Sequence, residues 1–324
     1  MQRHYVQILD GRIHASSQEV PLMHPGPSQL LVQVRAAGLN RGEVLALRHS
    51  GSEALTSLGI EAAGEVVETG PECQGLHVGD RVMGRCKGAF ADHVLIDARD
   101  AMPIPDDLSW VQAAAAPIAT MVVYDMLVMQ GHLTTGEWLL ITGVSSGVGV
   151  AALQMAKSLG ARVIGTSGSQ GKLTDLAGHG LDCGIPTRQP DFREAVMAAT
   201  EGHGADLVVN IIGGSVLAEC VGSMALQGRL ATVGYVDGVT SAPLDLAALH
   251  SRRLHLFGVS SKQLKPEQRH AVVSGVIRDV LPLFAHERMR PVIARVFPFA
   301  HLADAITYME SNAQTGKIVL SKPI

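Results

Sequence analysis

The sequence predicts an α/β protein with two domains, in which a doubly wound parallel sheet follows a smaller β-barrel domain. Short strand patterns separated by turns occupy the first hundred residues, and this spacing is typical of a small barrel. From about residue 112 onward, strand and helix patterns alternate, which indicates a parallel sheet covered by helices. The 324 residues suffice for two domains. We expect residues 1–118 and 264–324 to form the first domain and residues 119–263 the second.

Each predicted element is a short apolar or periodic run bounded by turn residues. Strands of the β domain are expected at residues 30–35, 64–70, 80–83 and 91–96. Strands of the parallel sheet are expected at residues 139–142, 162–166, 207–211, 229–233 and 254–259, with helices such as 191–200 and 215–224 between them. After residue 263, the pattern predicts helices at 266–285 and 301–311 and strands at 291–297 and 316–320.

Composition excludes several classes of function. A net charge of −4 and an aromatic content of 4% are unlike those of nucleic-acid-binding surfaces, so we expect no nucleic-acid partner. The longest apolar run, residues 113–129, contains Pro117 and Asp125 and favours a buried helix over a membrane span. The N-terminus has no signal-peptide pattern, and the four cysteines form no Cys-x-x-Cys pair. We therefore expect a soluble, cytoplasmic protein with no membrane partner.

The segment from Gly143 to Gly149 follows an apolar strand pattern and opens a helix pattern; it reads Gly-Val-Ser-Ser-Gly-Val-Gly. Glycines at such a turn let the backbone approach a pyrophosphate, whose charge then rests on the helix N-terminus. The order of strand, turn, helix and second strand predicts a Rossmann dinucleotide-binding domain. The expected cofactor contacts in this loop are Ser145, Ser146, Gly147, Val148 and Gly149.

The end of the second strand predicts which dinucleotide binds. An acidic residue there binds the ribose of NAD, whereas neutral or basic surroundings accept the 2′-phosphate of NADP. This chain has Ser167 and no carboxylate at the strand end, and Lys172 and Arg188 follow in the sequence. Hydroxyl groups and cations suit a phosphate, so we predict NADPH as the cofactor.

The carboxyl ends of the other strands complete the predicted cofactor site, because ligands of open parallel sheets bind there. The backbone contacts expected by this rule are at Asn210, Gly213, Gly234, Val259 and Ser260. Tyr235 follows Gly234, and we consider it both a cofactor contact and a candidate proton donor.

The residues from Thr142 to Gly149 also match the Thr-Gly-x-x-x-Gly-x-Gly pattern of short-chain dehydrogenases. Those enzymes need a Tyr-x-x-x-Lys pair, in which the lysine lowers the pKa of the tyrosine. None of the four tyrosines has a lysine four residues later, and a domain of over a hundred residues precedes the loop. The short-chain alternative is therefore rejected.

Several further motifs resemble the medium-chain dehydrogenase/reductase superfamily, and within it the zinc-free branch of quinone oxidoreductases (zeta-crystallin-like) and enoyl reductases. They lie at residues 36–40 (Ala-Ala-Gly-Leu-Asn), 59–64 (Gly-Ile-Glu-Ala-Ala-Gly), 78–82, 154–160 and 315–320, so the resemblance covers nearly the whole chain. It implies that the first domain is a GroES-like β-barrel catalytic domain and that the second is a Rossmann domain that binds NADPH.

The resemblance also implies functional residues in the first domain. Asn40 begins a segment similar to the Asn-Phe-Arg-Asp-Val segment of polyketide enoyl reductases. It would face the nicotinamide and donate a hydrogen bond to the substrate carbonyl; a turn-capping role is the structural alternative. Glu43 is interpreted as a structural acid or a proton relay. Asn40, Thr120, which is close to a position near the nicotinamide, and Lys317 of the terminal Gly-Lys motif are the cofactor contacts expected in this domain.

No metal is expected. Zinc-dependent relatives carry a cysteine after Ala-Ala-Gly and a histidine before the glutamate of the second motif, where this chain has Asn40 and Ile60. Neither is a sound zinc ligand. Without a Lewis acid, alcohol oxidation is impractical, whereas hydride addition to a quinone or an enone gives a delocalised product. We expect zinc-independent hydride transfer from NADPH to a quinone or to the β-carbon of an α,β-unsaturated carbonyl.

Two other functions stay open at this point. One is a discrete enoyl reductase that acts on polyketide or acyl thioesters, and the other is a non-catalytic NADPH-binding protein. In relatives, the apolar edge strand that runs here from Leu254 to Gly258 pairs with its twin across a dimer, so we also expect a homodimer.

Overall fold

The fold combines a parallel sheet and a mainly antiparallel sheet, each in its own part of the chain. The structure is a computed structural model that describes residues 1–51, 53–285 and 288–322. Unit 1 comprises Met1–Met121 and Lys265–Ile324, and unit 2 comprises Val122–Leu264. The predicted α/β class is confirmed, with a Rossmann-type parallel sheet and a GroES-like domain.

The first segment of unit 1 contains most of its strands. Its elements are β1 (Gln2–Leu9), β2 (Arg12–Glu19), β3 (Gln29–Leu39), α1 (Arg41–Ser50), β4 (Glu61–Thr69), β5 (Arg81–Arg85), β6 (His93–Asp97), β7 (Ala101–Pro103), α2 (Trp110–Ala115) and α3 (Pro117–Tyr124), whose end passes into unit 2.

Unit 2 alternates strands and helices after a π-helical turn. Its elements are the π-helical turn Asp125–Met129, β8 (Trp138–Thr142), α4 (Gly147–Ser158), β9 (Arg162–Ser167), α5 (Gln170–Ala177), β10 (Cys183–Pro186), α6 (Arg193–Ala199), β11 (Ala205–Asn210), α7 (Leu217–Gly222), β12 (Met224–Thr232), α8 (Leu246–Ser251) and β13 (His255–Gly258).

The last segment returns to unit 1. Its elements are α9 (Pro266–Asp279), α10 (Leu281–Ala285), β14 (Ile293–Pro298), α11 (Leu302–Glu310) and β15 (Lys317–Ser321).

The sheet of unit 2 has the strand order β10-β9-β8-β11-β12-β13, and all of its pairings are parallel. Counted within the unit, this is the order 3-2-1-4-5-6 of the doubly wound fold. Asn210 lies opposite both Thr142 and Thr232, so the carboxyl ends of the three central strands meet at one edge of the sheet. The central strands β8 and β11 are largely apolar because both faces of such a sheet are covered; Leu140 and Val208, for example, are fully buried.

The sheet of unit 1 is organised around β3, whose eleven residues pair with three strands. Along one side β3 pairs with β4. Along the other, its first half pairs with β6 and its second half with β15. The predicted strand at 30–35 therefore continues to Leu39, because β15 pairs with this second half. No local sequence pattern indicates that β3 pairs with β15, because the two strands lie far apart in the chain.

Several parts of the chain differ from the sequence prediction; the helix predicted at 266–285, for example, is divided into α9 and α10. The hairpin of β1 and β2 was not predicted. Residues 113–129 do not form one buried helix but parts of α2, α3 and the π-helical turn. Proline is tolerated at the first position of a helix, where no N–H is needed, and Pro117 accordingly begins α3. Within the described ranges, no helix has both the length and the apolar character needed to cross a membrane.

Candidate functional site

The predicted glycine loop of unit 2 forms a tight turn between β8 and α4. Gly143 has a positive φ of 68°, and Ser146 caps α4 by accepting a hydrogen bond from the Gly149 N–H at 3.1 Å. A Cβ atom at Gly149 would lie 2.6 Å from the carbonyl oxygen of Val144, so only glycine lets the helix begin this close to the turn. Ser145, Gly147 and Val148 lie within this turn, partly exposed. The loop thus presents a helix N-terminus of the kind that binds a pyrophosphate.

The end of β9 brings together the residues predicted for the 2′-phosphate. The Ser167 hydroxyl lies 3.4 Å from that of Ser145. A Cβ atom at Gly168 would lie 2.5 Å from Arg188 Nε, so the missing side chain leaves the space that the Arg188 guanidinium group occupies. Lys172 lies in the first turn of α5, which Ser169 caps through the Lys172 N–H. Hydroxyl groups and cations therefore surround this strand end.

Asn210 at the end of β11 uses its side chain to close a loop. Its Oδ1 accepts hydrogen bonds from Thr142 Oγ1 at 3.2 Å and from the Gly213 N–H at 3.1 Å. Its Nδ2 donates to the Gly213 carbonyl at 2.9 Å. The buried side chain is held by these hydrogen bonds, which leaves the backbone of this loop for the predicted cofactor contact.

The remaining predicted residues of unit 2 follow the next two strands. Gly234 and Tyr235 follow β12, and the Tyr235 side chain is 52% exposed. Val259 continues β13 with a hydrogen bond to the Thr232 carbonyl at 3.2 Å, and Ser260 then caps a short 3₁₀ turn. The parallel register brings these segments to the same edge of the sheet as the glycine loop. The role of Tyr235 as a proton donor stays a prediction.

In unit 1, a polar network surrounds Asn40. Lys317 Nζ donates to Asn40 Oδ1 at 2.7 Å and to Glu61 Oε1 at 2.6 Å. Asn40 Nδ2 donates to Glu61 Oε1 at 2.9 Å and, over a longer distance of 3.4 Å, to Glu43 Oε2. We call Asn40, Glu43, Glu61 and Lys317 the Lys317 network.

Neighbouring strands assemble this network. Leu39 of β3 lies opposite Ile318 of β15, and Ala37 lies opposite Ala62 of β4. Asn40, Lys317 and Glu61 thereby come to one end of three adjacent strands. A Cβ atom at Gly38 would collide with Glu61 Oε1, which explains the glycine of the Ala-Ala-Gly motif.

Glu61 is completely buried, and its carboxylate is well satisfied. Besides the bonds from Lys317 and Asn40, its Oε2 accepts a hydrogen bond at 2.8 Å from the Ile118 N–H at the start of α3. In the sequence, Glu61 stands out only as part of a motif. A charged residue directly before the small apolar run 62–64 was the signal that could have identified it.

Glu43 is the second acid of the network. Burial raises the pKa of Glu43 to about 7, and the negative charge of Glu61 contributes to the rise. A hydrogen bond from the Gly59 N–H at 2.6 Å, the Asn40 amide and the charge of Lys317 oppose it. Glu43 therefore carries a proton for part of the time near neutral pH.

The position of Asn40 differs in one respect from the prediction. Asn40 occupies the N-cap of α1, but its side chain makes no capping hydrogen bond, so the turn-capping alternative is wrong. Its amide hydrogens point instead to Glu61 and Glu43, whereas the prediction had Asn40 donate to a substrate carbonyl. Thr120, predicted in unit 1 besides Asn40 and Lys317, is buried in α3.

Two family models match the chain. One is described as "Alcohol dehydrogenase GroES-like domain" and matches residues 26–106, and the other as "Zinc-binding dehydrogenase" and matches residues 147–276. The chain belongs to the medium-chain dehydrogenase/reductase superfamily.

Curated relatives of this chain include a phenolphthiocerol/phthiocerol polyketide synthase of Mycobacterium tuberculosis. It is 33% identical over 317 residues, which are 97% of this chain but 14% of that protein. The chain thus spans about one seventh of the length of this relative.

Solved structures share the fold over the whole chain. An Escherichia coli quinone oxidoreductase complexed with NADPH has a TM-score of 0.86 and 24% identity, over 99% of this chain and 100% of that one. The CurK enoyl reductase has a TM-score of 0.85 and 22% identity, over 99% of this chain and 100% of that one. At sequence identities this low, the similarity to these two structures shows a shared fold and nothing more.

The name of the second family model raises the question of zinc. Across the part of the chain that the structure describes, no group of three or more histidine, cysteine, aspartate or glutamate residues could hold a metal ion. The network has an amide at Asn40, and burial raises the pKa of the nearby Cys86 thiol, with Glu61 and Glu43 raising it further. A neutral thiol and an amide are poor zinc ligands. These residues do not fit a zinc ion.

Proposed function

We propose that this oxidoreductase transfers hydride from NADPH, without a metal, to a quinone or to the β-carbon of an α,β-unsaturated carbonyl. The observation that carries the proposal is the Lys317 network. Where zinc-dependent relatives have a metal ligand, this chain has Asn40 bonded to an ammonium group and to two carboxyl groups. Such a site can stabilise developing negative charge by hydrogen bonding, but its residues supply no Lewis acid for the oxidation of an alcohol.

The residues of unit 2 fit NADPH. The glycine loop with Ser145, Ser146 and Gly149 would hold the pyrophosphate, and the cluster of Ser167, Lys172 and Arg188 would hold the 2′-phosphate. When bound, NADPH supplies the hydride. The quinone oxidoreductase whose fold this chain shares was solved with NADPH, which supports the same choice of cofactor.

A second candidate is an enoyl reductase that acts on acyl thioesters. The 33% identity to a polyketide synthase over nearly the whole chain favours it, as does the fold shared with the CurK enoyl reductase. The chemistry is the same addition of hydride to a conjugated carbonyl, so the two candidates differ in the acceptor alone.

Steady-state oxidation of NADPH with a panel of acceptors tests the proposal. The panel contains a simple enone, a quinone and an enoyl thioester, each measured with NADPH and with NADH, after metal analysis of the purified protein. We expect turnover with at least one acceptor, a preference for NADPH and no stoichiometric zinc. Bound NADPH without turnover on any acceptor would instead indicate a non-catalytic NADPH-binding protein, and stoichiometric zinc would contradict the metal-free mechanism.

We also propose that the protein is a homodimer that pairs through β13. This strand is the last one in the sheet order of unit 2, and Leu256 on it is 36% exposed. An apolar edge strand pairs readily with a second copy. Light scattering at micromolar concentration should give the dimer mass; a monomer mass would refute the proposal.

A further inference from the structure

The ammonium group of Lys317 has a hydrogen-bond donor to spare. A lysine ammonium group carries three N–H donors. Two of them bind Asn40 Oδ1 and Glu61 Oε1. Among the residues that the structure describes, no third acceptor lies within hydrogen-bond distance of Lys317 Nζ. The residue is only 7% exposed, so its third donor has little access to bulk water.

Asn40 and Glu61, the two partners of the ammonium group, have no such spare donor. Both amide hydrogens of Asn40 point to carboxyl groups, and its carbonyl oxygen accepts from Lys317. Glu61 accepts on both oxygens. The hydrogen bonds that Asn40 and Glu61 make within the network therefore hold Lys317 in place. They do this either directly or through a neighbouring group of the network.

Keeping these charges in the interior is costly. A buried ion pair is often less stable than apolar side chains of similar volume. The next three residues of β15, Ile318, Val319 and Leu320, are apolar and buried, so an apolar residue at position 317 would suit the strand. The charged side chain of Lys317 therefore indicates a role other than stabilising the fold.

We propose that Lys317, rather than Asn40, donates a hydrogen bond to the carbonyl oxygen of the hydride acceptor, and that Asn40, Glu61 and Glu43 are positioning residues that hold its ammonium group. This inference rests on the proposed function. When an enone takes up hydride at its β-carbon, the electron pair of the C=C bond shifts and negative charge builds on the carbonyl oxygen. Lys317 stabilises that charge and keeps its own proton; the α-carbon takes its proton from solvent.

Single-turnover and binding measurements on Lys317→Met test the role of Lys317. We expect kcat/KM for the enone to fall by about 100-fold or more, as it does when an oxyanion donor is removed, while Kd for NADPH changes by less than about threefold. Lys317→Arg, which keeps the charge, should retain more activity than Lys317→Met. The matched control is Lys322→Met, which removes a lysine that is paired with Asp92 just after the same strand.

Two results would overturn the role of Lys317. One is an unchanged rate at saturating NADPH together with a raised Kd for NADPH, since Lys317 would then bind the cofactor. The other is a rate in Lys317→Met equal to that of Lys322→Met. In either case the proposed function stands, because the wild type still turns over. Absence of turnover by the wild type on every acceptor overturns both proposals.

Lys317→Met leaves Glu61 buried without its cation, and this can prevent folding. The double variant Lys317→Met/Glu61→Gln removes both charges and keeps the shape of the pair. We expect it to unfold at a denaturant concentration close to that of the wild type and to show the same loss of rate. Recovery of wild-type kcat/KM in the double variant would overturn the proposal.

The pH profile tests Glu43 as a positioning residue. The titratable groups that face it are Glu61 on β4, Lys317 on β15 and the Cys86 thiol. Ionised Glu43 adds a negative charge beside Lys317 and opposes charge on the acceptor, so kcat/KM should fall as the pH rises through neutrality. Glu43→Gln should remove this fall, whereas Glu68→Gln, at a partly exposed acid of β4, should preserve it. A fall that persists in Glu43→Gln would overturn the assignment of Glu43.

Discussion

At the scale of single residues, we propose that Gly168 and Arg188 determine the choice between NADPH and NADH. The glycine leaves room for the guanidinium group to lie against the end of β9, and Ser167 stands where an NAD-binding protein has a carboxylate. These features lie within about twenty residues of one another, so the sequence alone could predict them. Only the structure shows that the arginine lies over the glycine.

Arg188→Ala should weaken NADPH binding with little effect on NADH. A charge-assisted hydrogen bond to a phosphate contributes roughly 1.5–3 kcal/mol, so we expect Kd for NADPH to rise by about 10- to 100-fold. Titration of protein fluorescence with each dinucleotide measures this. Arg193→Ala, in the same unit on α6, is the control and should leave both affinities unchanged. An equal loss for NADH and NADPH would contradict a 2′-phosphate contact.

Glu43 should make the protein less stable as the pH rises. Its pKa of about 7 in the folded state exceeds the ordinary value of 4.5, so the folded state binds the proton more tightly than the unfolded state. The stability from this proton is fully present below pH 4.5 and is lost as the pH rises to about 7. At 1.36 kcal/mol per pKa unit, the loss is at most about 3 kcal/mol.

Urea unfolding of the wild type and of Glu43→Gln at several pH values measures this loss. The variant should lack the Glu43 contribution and lose less stability than the wild type between pH 4.5 and pH 7. Glu68→Gln serves as the control. If both variants follow the wild type across this interval, the carboxyl group of Glu43 titrates normally.

At the scale of elements, the turn between β8 and α4 depends on glycine at the helix start. The context of strand, turn and helix is contained in about twenty consecutive residues, which is why the sequence predicted this element. The apolar run 113–129 is helical as predicted but divided, because apolar residues on all sides do not show where a helix breaks; the break comes before Pro117.

Gly149→Ala should disturb this turn. The new Cβ atom would lie 2.6 Å from the Val144 carbonyl oxygen, and the helix must move away to accept it. Overpacking of this kind costs typically about 1–3 kcal/mol, and NADPH binding should weaken with the displaced helix N-terminus. Gly171→Ala in α5 is the control, because its Cβ atom meets nothing closer than 4.0 Å. Equal thermal stability and NADPH affinity in the two variants would contradict the tight packing.

At the scale of the whole molecule, the edge strand β13 determines the proposed association of two chains. Leu256→Lys places a charge on this strand and should shift the protein from dimer to monomer in light scattering. Leu246→Lys, on the exposed helix α8, is the matched control and should stay dimeric. A Leu256→Lys protein that keeps the dimer mass would place the interface elsewhere.

The sequence by itself determined the α/β class, the nucleotide loop and the chemistry at the end of β9. These features rest on strand, turn and helix patterns between residues close in the chain, whose spacing is written in the local sequence. Only the tertiary structure decided the surroundings of Asn40. Its partners Glu61 and Lys317 lie 21 and 277 residues away, and strand pairing around β3 brings them together. Pairing over such distances leaves no local pattern, so the spare donor of Lys317 became visible only in the folded chain.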